Sequence, residues 1–347
     1  MMGKKHTNIS ELGEFGLIDR LTKNIKIKNV STHKGVGDDA AVMKYSGKYI
    51  LLSTDILTEG IHFNLMYVPL KHLGYKSVVV NLSDIYAMNA IPRQITVNLA
   101  LSAKFSVEAA EELYSGIYLA CEQYGVDLVG GDTTSSFTGL VISVSVMGEA
   151  ERYEDIIFRS GARPGDILCV TGDLGGAYMG LQLLERENEV FKVNQHMQPH
   201  LEGYDYILER QLKPEARKDI NKGFKKLGIK PTSMIDISDG LSSETLHLCK
   251  NSKVGCRLYE EKIPMDNQTK KMAIELHINP LVAALNGGED YELLFTLSPG
   301  DSEKIKNDPD FTVIGEMTGV TEGANLVTTG GALIPLKAQG WEHGKNK

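Results

Sequence analysis

No stretch of this chain approaches the ~18 uninterrupted apolar residues that a bilayer crossing needs. The basic start MMGKKHTNIS has no apolar segment of ~7–15 residues behind it, so neither a membrane span nor a secretory signal is expected, and the expected compartment is the cytoplasm. Cysteine is scarce. Cys121, Cys169, Cys249 and Cys256 form no C-x-x-C pair and none has a histidine at zinc-finger spacing, which predicts reduced, mostly buried thiols. Basic residues are outnumbered, 37 Lys+Arg against 45 Asp+Glu, and outside the extreme ends no Lys/Arg run exceeds two; nonspecific nucleic-acid binding is therefore not expected. The sequence also lacks G-x-x-x-x-G-K-[ST], which excludes a Walker-type nucleotide site, and G-x-S-x-G, which excludes the corresponding hydrolases.

What is present is an ordinary globular composition, 42% hydrophobic and 24% charged over 347 residues, enough for two domains of about 150 residues or more. The turn-rich segment RSGARPGD (159–166) suggests a boundary near it, giving domains 1–150 and 151–347. AAVMKY and KYILLSTDI read as strands around a Ser46-Gly47 turn. Leu70 to Asn89 is too long for a strand and reads as a helix closed by Pro92. A strand, QITVNLAL, precedes a helix from Ser106, a suitable N-cap, to Tyr124. VDLVGGD and LVISVSVMGEA read as further strands. After the connector, ILCVTG leads into a helix ending near Glu187, residues 188–210 carry no pattern, and Pro214 starts another helix. SMIDIS, GCRLYEE, YELLFTL and FTVIGEM read as strands, with LSSETLHLCKNS as a helix. Alternation in both halves predicts an α/β (α+β) protein with mixed sheets.

Gly35-Val36-Gly37-Asp38-Asp39-Ala40 fits the spacing G-x-G-x-x-A, but STHK precedes it and strand-like residues follow, so it lacks the strand-turn-helix setting of a dinucleotide fingerprint. Two carboxylates there would accept a phosphate only with cations between. Five acidic clusters stand out: Asp38/Asp39, Asp55, Asp132, Asp236/Asp239 and Glu289/Asp290, all but the first directly after an apolar run. Any one of them could be a turn residue or helix cap. Their repetition at strand ends suits oxygen-ligated Mg²⁺ held together with substrate phosphates. Ser77, Asn81 and Asp84 form a polar stripe on an otherwise apolar helix, where a buried aspartate needs a charge partner and a metal ion would serve. Gly130-Gly131-Asp132 and Gly287-Gly288-Glu289 suggest backbone that approaches a ligand. Arg159 is the isolated cation beside a turn, either a surface salt bridge or a phosphate clamp.

VGDDAAV, STDILTEGIHF, NLSDIYAMNA, LVGGDTT, RSGARPGD, VTGDLG, IDISDGL and GGEDYELLFT, in this order, resemble the thiamine-monophosphate kinase family from about Glu11 to Trp341. That family falls in the aminoimidazole-ribonucleotide synthetase superfamily, whose members use ATP without a P-loop. The resemblance implies a two-domain fold of that superfamily and a homodimer built on the N-terminal domains, with ATP and thiamine monophosphate between the two domains of each chain. It implies Mg²⁺ ligands at Asp39, Ser53, Thr54, Asp55, Asp84, Asp132, Asp236 and Asp239. Tyr114, Gly131, Asp132, Arg159 and Ser238 would contact ATP, and His62, Glu289 and Trp341 the thiamine phosphate.

A phosphate monoester acceptor has a second pKa near ~6 and is already an anion, so no general base is required. The difficulty is repulsion: two unit charges ~4 Å apart cost about 4 kcal/mol at an effective dielectric of ~20. Several Mg²⁺ ions would offset it. Two alternatives stay open, another ATP-using enzyme of the superfamily and a divalent-cation-binding protein without turnover. A selenophosphate synthetase would need a reactive cysteine near the N-terminus, where the first here is Cys121, and a hydrogenase-maturation relative would end in cysteine, where this chain ends GKNK.

Overall fold

The computed structural model describes residues 9–306 and 308–338, with the side chains of 9–14 left out. Trp341 therefore lies outside the described residues. In the first half, helix α1 (Ile9–Thr22) precedes β1 (Thr32–Lys34), β2 (Ala41–Tyr45), β3 (Lys48–Thr58), α2 (Leu70–Ala87), β4 (Ile91–Ser102), α3 (Val107–Tyr124), β5 (Asp127–Ser136) and β6 (Val141–Ala150). These strands form one sheet in the order β1-β2-β3-β6-β4-β5, with only β4 and β5 parallel. Alternation along β3 sends Leu51, Ser53, Asp55 and Leu57 to the face covered by α2 and α3, while Leu52, Thr54 and Ile56 face outward. α2 is buried nearly all round; from Leu73 to Ala87 only Asp84 is partly accessible.

The second half holds β7 (Ile167–Thr171), α4 (Gly176–Val193), α5 (Asp205–Leu212), α6 (Lys218–Leu227), β8 (Ser233–Asp236), α7 (Leu241–Ser252) and β9 (Gly255–Tyr259). After them come α8 (Asn267–Glu275), α9 (Pro280–Asn286), β10 (Leu293–Leu297), α10 (Ser302–Ile305), β11 (Phe311–Thr318), β12 (Ala324–Val327) and β13 (Leu333–Pro335). The seven strands pair in the order β13-β12-β9-β11-β7-β10-β8. β8 therefore lies at an edge, packed against α2 of the first half. The mixed α/β architecture is the one expected, and all four cysteines are buried thiols. Among the described residues no helix is long and apolar enough to cross a membrane.

Several boundaries differ from expectation. α2 ends at Ala87, before Pro92 is reached: Asn89 turns the chain with a left-handed φ of 55°, and Pro92 is the second residue of β4, beside a bulge. α4 runs on to Val193, past Glu187. The helix expected from Pro214 starts only at Lys218, because Glu215 accepts hydrogen bonds from the Tyr75 and Tyr124 hydroxyls and Ala216 N–H donates to Tyr124, which holds this segment extended across α2 and α3. The patternless 188–210 contains most of α5, which packs on α4.

Candidate functional site

The first acids to converge are Asp39 after the glycine turn, Asp84 from α2 and Asp236 at the end of β8, each with a carboxylate oxygen within 4.8 Å of the others. Neighbouring hydroxyls orient them: Ser53 Oγ donates to Asp84 Oδ2 at 2.5 Å, and Ser83 Oγ to Asp236 Oδ2 at 2.6 Å. The second bond crosses from the first half to the second. Asp55 sits beside Asp84 on the same face of β3, its N–H donating to Asn81 Oδ1 at 3.0 Å. Burial, reinforced by repulsion from Asp55, Asp236 and Asp39, raises the Asp84 carboxyl well above the usual range. Burial lifts Asp55 to about 6, and burial followed by repulsion from Asp39 lifts Asp236 to about 7. None of Asp55, Asp84 and Asp236 forms an ion pair with a described residue.

The polar stripe on α2 thus divides. Ser77 only returns its hydroxyl to Gly74 O, Asn81 holds β3, and Asp84 enters the cluster. Asp38 stays outside, paired with Lys34 at 2.9 Å and accepting the Arg159 N–H at 2.7 Å. The Arg159 guanidinium meets Asp39 Oδ1 at 2.6 Å, a largely buried pair rather than a surface one. Ser238 and Asp239 follow β8. Glu244 of α7, which the sequence did not single out, accepts Asp239 N–H at 2.9 Å and lies 3.4 Å from Ser238 Oγ. Burial and then repulsion from Asp239 hold Glu244 well above the ordinary range. Asp290 caps a helix instead: it accepts Gly175 N–H at 2.7 Å at the start of α4 and lies 3.8 Å from Arg210.

Glu289 has φ 59° and donates its N–H to Ser238 O at 2.7 Å; Gly288, at φ 69°, has no room for a Cβ, which would lie 2.5 Å from the same oxygen. That glycine serves contact between two motif loops, and it also lines the cavity that Asp84 and Asp236 border. The Glu289 carboxylate is held by Lys76, a buried lysine of α2, at 2.9 Å and by Gln211 Nε2 at 3.1 Å. Neither partner was anticipated, since each resembles any polar residue of a helix until the packing is known. His62 accepts Thr58 N–H at Nδ1, so the neutral ring carries its proton on Nε2.

Part of this constellation lines a cavity of about 370 Å³, whose lining does not include Asp39 or Arg159. One end presents Asp55, Asp84, Asp236, Ser238 and Asp239; His62, Phe63, Tyr67, Tyr178, Leu181 and Glu185 line the remainder. Tyr114, Gly131 and Asp132 instead line a separate shallow depression. Asp132 pairs across β4 and β6 in line with Asn98, Ser143 and Ile56, on the outer face, whereas Asp55 is on the inner one. Three strand spacings of ~4.8 Å put β5 about 14 Å from β3. The expectation that Asp132 joins the other acids is not met within one chain. Thr54 is also on the outer face, donating to Val144 O at 3.0 Å. Gly131 is required by its neighbour, as a Cβ there would lie 1.8 Å from Val97 O.

Asp39, Asp55, Asp84 and Asp236 suit a hard divalent cation: all donors are oxygen, and Asp39 Oδ2 is buried with no hydrogen-bond partner. The model of the AIR synthase related protein N-terminal domain matches residues 37–150. The thiamine-monophosphate kinase of Aquifex aeolicus (strain VF5) is 37% identical over 96% of this chain and 99% of its own length. That of Bacillus subtilis (strain 168) is 33% identical over 96% and 100%. The solved structure of AaThiL complexed with AMPPCP and TMP is similar at a TM-score of 0.82 and 34% identity, covering 97% of this chain and 99% of that one.

Proposed function

Because this chain belongs to the thiamine-monophosphate kinase family, and is thereby an enzyme, we propose that it moves the terminal phosphoryl group of ATP onto the phosphate of thiamine monophosphate, giving ADP and thiamine diphosphate by direct in-line transfer. One observation carries the reading: a single cavity joins Asp55, Asp84 and Asp236, which form no ion pair with a described residue, to a wall of aromatic and apolar side chains. Such a cavity suits a molecule with phosphate at one end and a ring at the other. The acceptor phosphate is itself the nucleophile, so the chain's task is to hold two polyanions in line and keep water out.

Asp39, Ser53, Thr54, Asp55, Asp84, Asp236 and Asp239 would hold Mg²⁺, with Arg159 and Ser238 toward ATP and His62, Glu289 and Trp341 toward the acceptor. Bound there, several Mg²⁺ ions would offset the repulsion between the phosphates and stabilise charge developing in the transition state. We place the two domains at 1–150 and 151–347. A homodimer would complete the site: the outer face of the first sheet exposes Leu52, Ile56, Ile91 and Met147, and a second copy covering it would present its Tyr114, Gly131 and Asp132 to Thr54, which lies on that face of β3 between Ser53 and Asp55.

ADP release in a coupled assay should require thiamine monophosphate and Mg²⁺ together, with thiamine diphosphate as the product. ADP formation indifferent to the acceptor would overturn the reading. The rate should keep rising as Mg²⁺ exceeds ATP, and a plateau at a ratio of one would count against several metals. For the shared site, Asp84→Asn and Asp132→Asn should each be nearly inactive alone. After subunit exchange in a one-to-one mixture, about a quarter of parental activity should return, since half the dimers would then hold one intact site of two. A mixture as inactive as its components would show that Asp132 acts within its own chain or not at all.

A further inference from the structure

Tyr178, Leu181 and Glu185 occur at i, i+3 and i+7 on α4 and line the cavity together. Tyr178 is held against the GGED loop, where a Cβ on Gly287 would lie 2.5 Å from the Tyr178 Cβ. Tyr67, from the loop after β3, joins this wall, and the charge of Glu185 bears on both tyrosine hydroxyls. Two glutamates are thus near the aromatic part of the cavity, and they differ. Glu289 has its cation already in Lys76. Glu185 has none among the described residues: Gln182 Nε2 reaches it at 3.5 Å, while the adjacent Arg186 turns away to Glu187 at 2.9 Å and Glu275 at 3.9 Å.

A carboxylate that lines the cavity with two tyrosines and has no counter-ion among the described residues is complementary to a flat organic cation, which gains from charge and from the ring faces. We infer that Glu185, flanked by Tyr67 and Tyr178, receives the positively charged heteroaromatic part of the acceptor and selects cationic over neutral acceptors. The inference rests on the kinase reading above and assigns to α4 a specificity role separate from the phosphate-end carboxylates. Being remote from the transferred phosphoryl group, this contact is made equally in ground and transition states, so it should act on KM and leave kcat alone.

The test compares thiamine monophosphate with its neutral isostere, in which carbon replaces the thiazolium nitrogen. The parent enzyme should favour the cation. Glu185→Gln should raise KM for thiamine monophosphate about 3–10-fold with kcat within ~2-fold, and leave KM for the neutral isostere unchanged. Glu185→Lys should widen the loss for the cation alone. If Glu185→Gln turns over with an unchanged KM for thiamine monophosphate, or shifts both acceptors equally, the inference is wrong. Failure of the parent to make thiamine diphosphate would instead overturn the kinase reading itself.

Discussion

Asp84→Asn is expected to lose at least about 100-fold in turnover while leaving the metal-free protein as stable as the parent or more so. The two halves of this expectation have one cause. Asp84 is the only partly accessible residue on an otherwise buried stretch of α2, its neighbours Asp39, Asp55 and Asp236 are also acids, and its hydrogen-bond partner among the described residues is the Ser53 hydroxyl. Asparagine keeps the shape and can still accept from Ser53. It removes a charge that burial and repulsion disfavour, so the metal-free fold should not suffer. It also removes a ligand, and a 100-fold loss corresponds to about 2.7 kcal/mol of transition-state stabilisation. Melting with and without Mg²⁺-ATP, together with kcat, separates the two effects; normal kcat with normal Mg²⁺ dependence would take Asp84 out of the site.

The same cluster sets a pH dependence with a definite sign. Folded carboxyls lifted to about 6 at Asp55 and about 7 at Asp236 bind protons more tightly than in the unfolded chain. Their contribution to stability is full below the ordinary carboxylate range near ~4 and is lost as pH rises through about 6 to 7. The metal-free protein should therefore lose stability across that interval.

Asp55 and Asp236 could be read from the sequence because each ends an apolar run, which marks where buried chain meets a cavity or solvent, and Asp84 because it is a charge on an otherwise apolar helix. Which acids meet was another matter. Asp132 follows the same rule as Asp236, yet β5 pairs in parallel beside β4 after the α3 crossover and ends at the sheet edge, on the wrong face and about 14 Å away. Strand order and facing are set by long-range pairing, and local pattern does not encode them. Lys76, Gln211, Glu244 and Glu185 escaped for a different reason: a polar residue on a helix has the same local signature whether it meets water or a site. Two short helices did leave a signal. Asp266 accepts Gln268 N–H to start α8, and Asn279-Pro280 caps α9 with proline in its first turn.

The largest stability effect is expected well away from the transferred phosphoryl group, at Glu292. Its buried carboxylate accepts from Arg210 Nη1 at 2.9 Å, Arg217 Nη1 at 2.5 Å and Thr171 Oγ1 at 2.5 Å, joining β7 and β10 to the segment around α5. Glu292→Gln conserves volume and loses the charge that both guanidiniums face. Arg210 keeps Asp290 at 3.8 Å and two carbonyl oxygens, so it is only partly compensated. Breaking a buried pair by removing one partner costs about 3–5 kcal/mol, because a charge is left out of water without its counter-ion. At about 2–4 °C per kcal/mol for a domain of this size, Tm should fall by roughly 6–20 °C. Thr171→Val, which deletes two hydrogen bonds, one to Glu292 and one from Leu293 N–H, but no charge, should cost less, about 1–3 kcal/mol. Glu292 does not line the cavity, so at a temperature where the variant is folded its kcat should match the parent's. A Glu292→Gln protein melting within about 2 °C of the parent would mean that Asp290 satisfies Arg210 and that Asp219 and Asp310, at 3.1 and 3.3 Å, satisfy Arg217, and that Glu292 contributes little to stability.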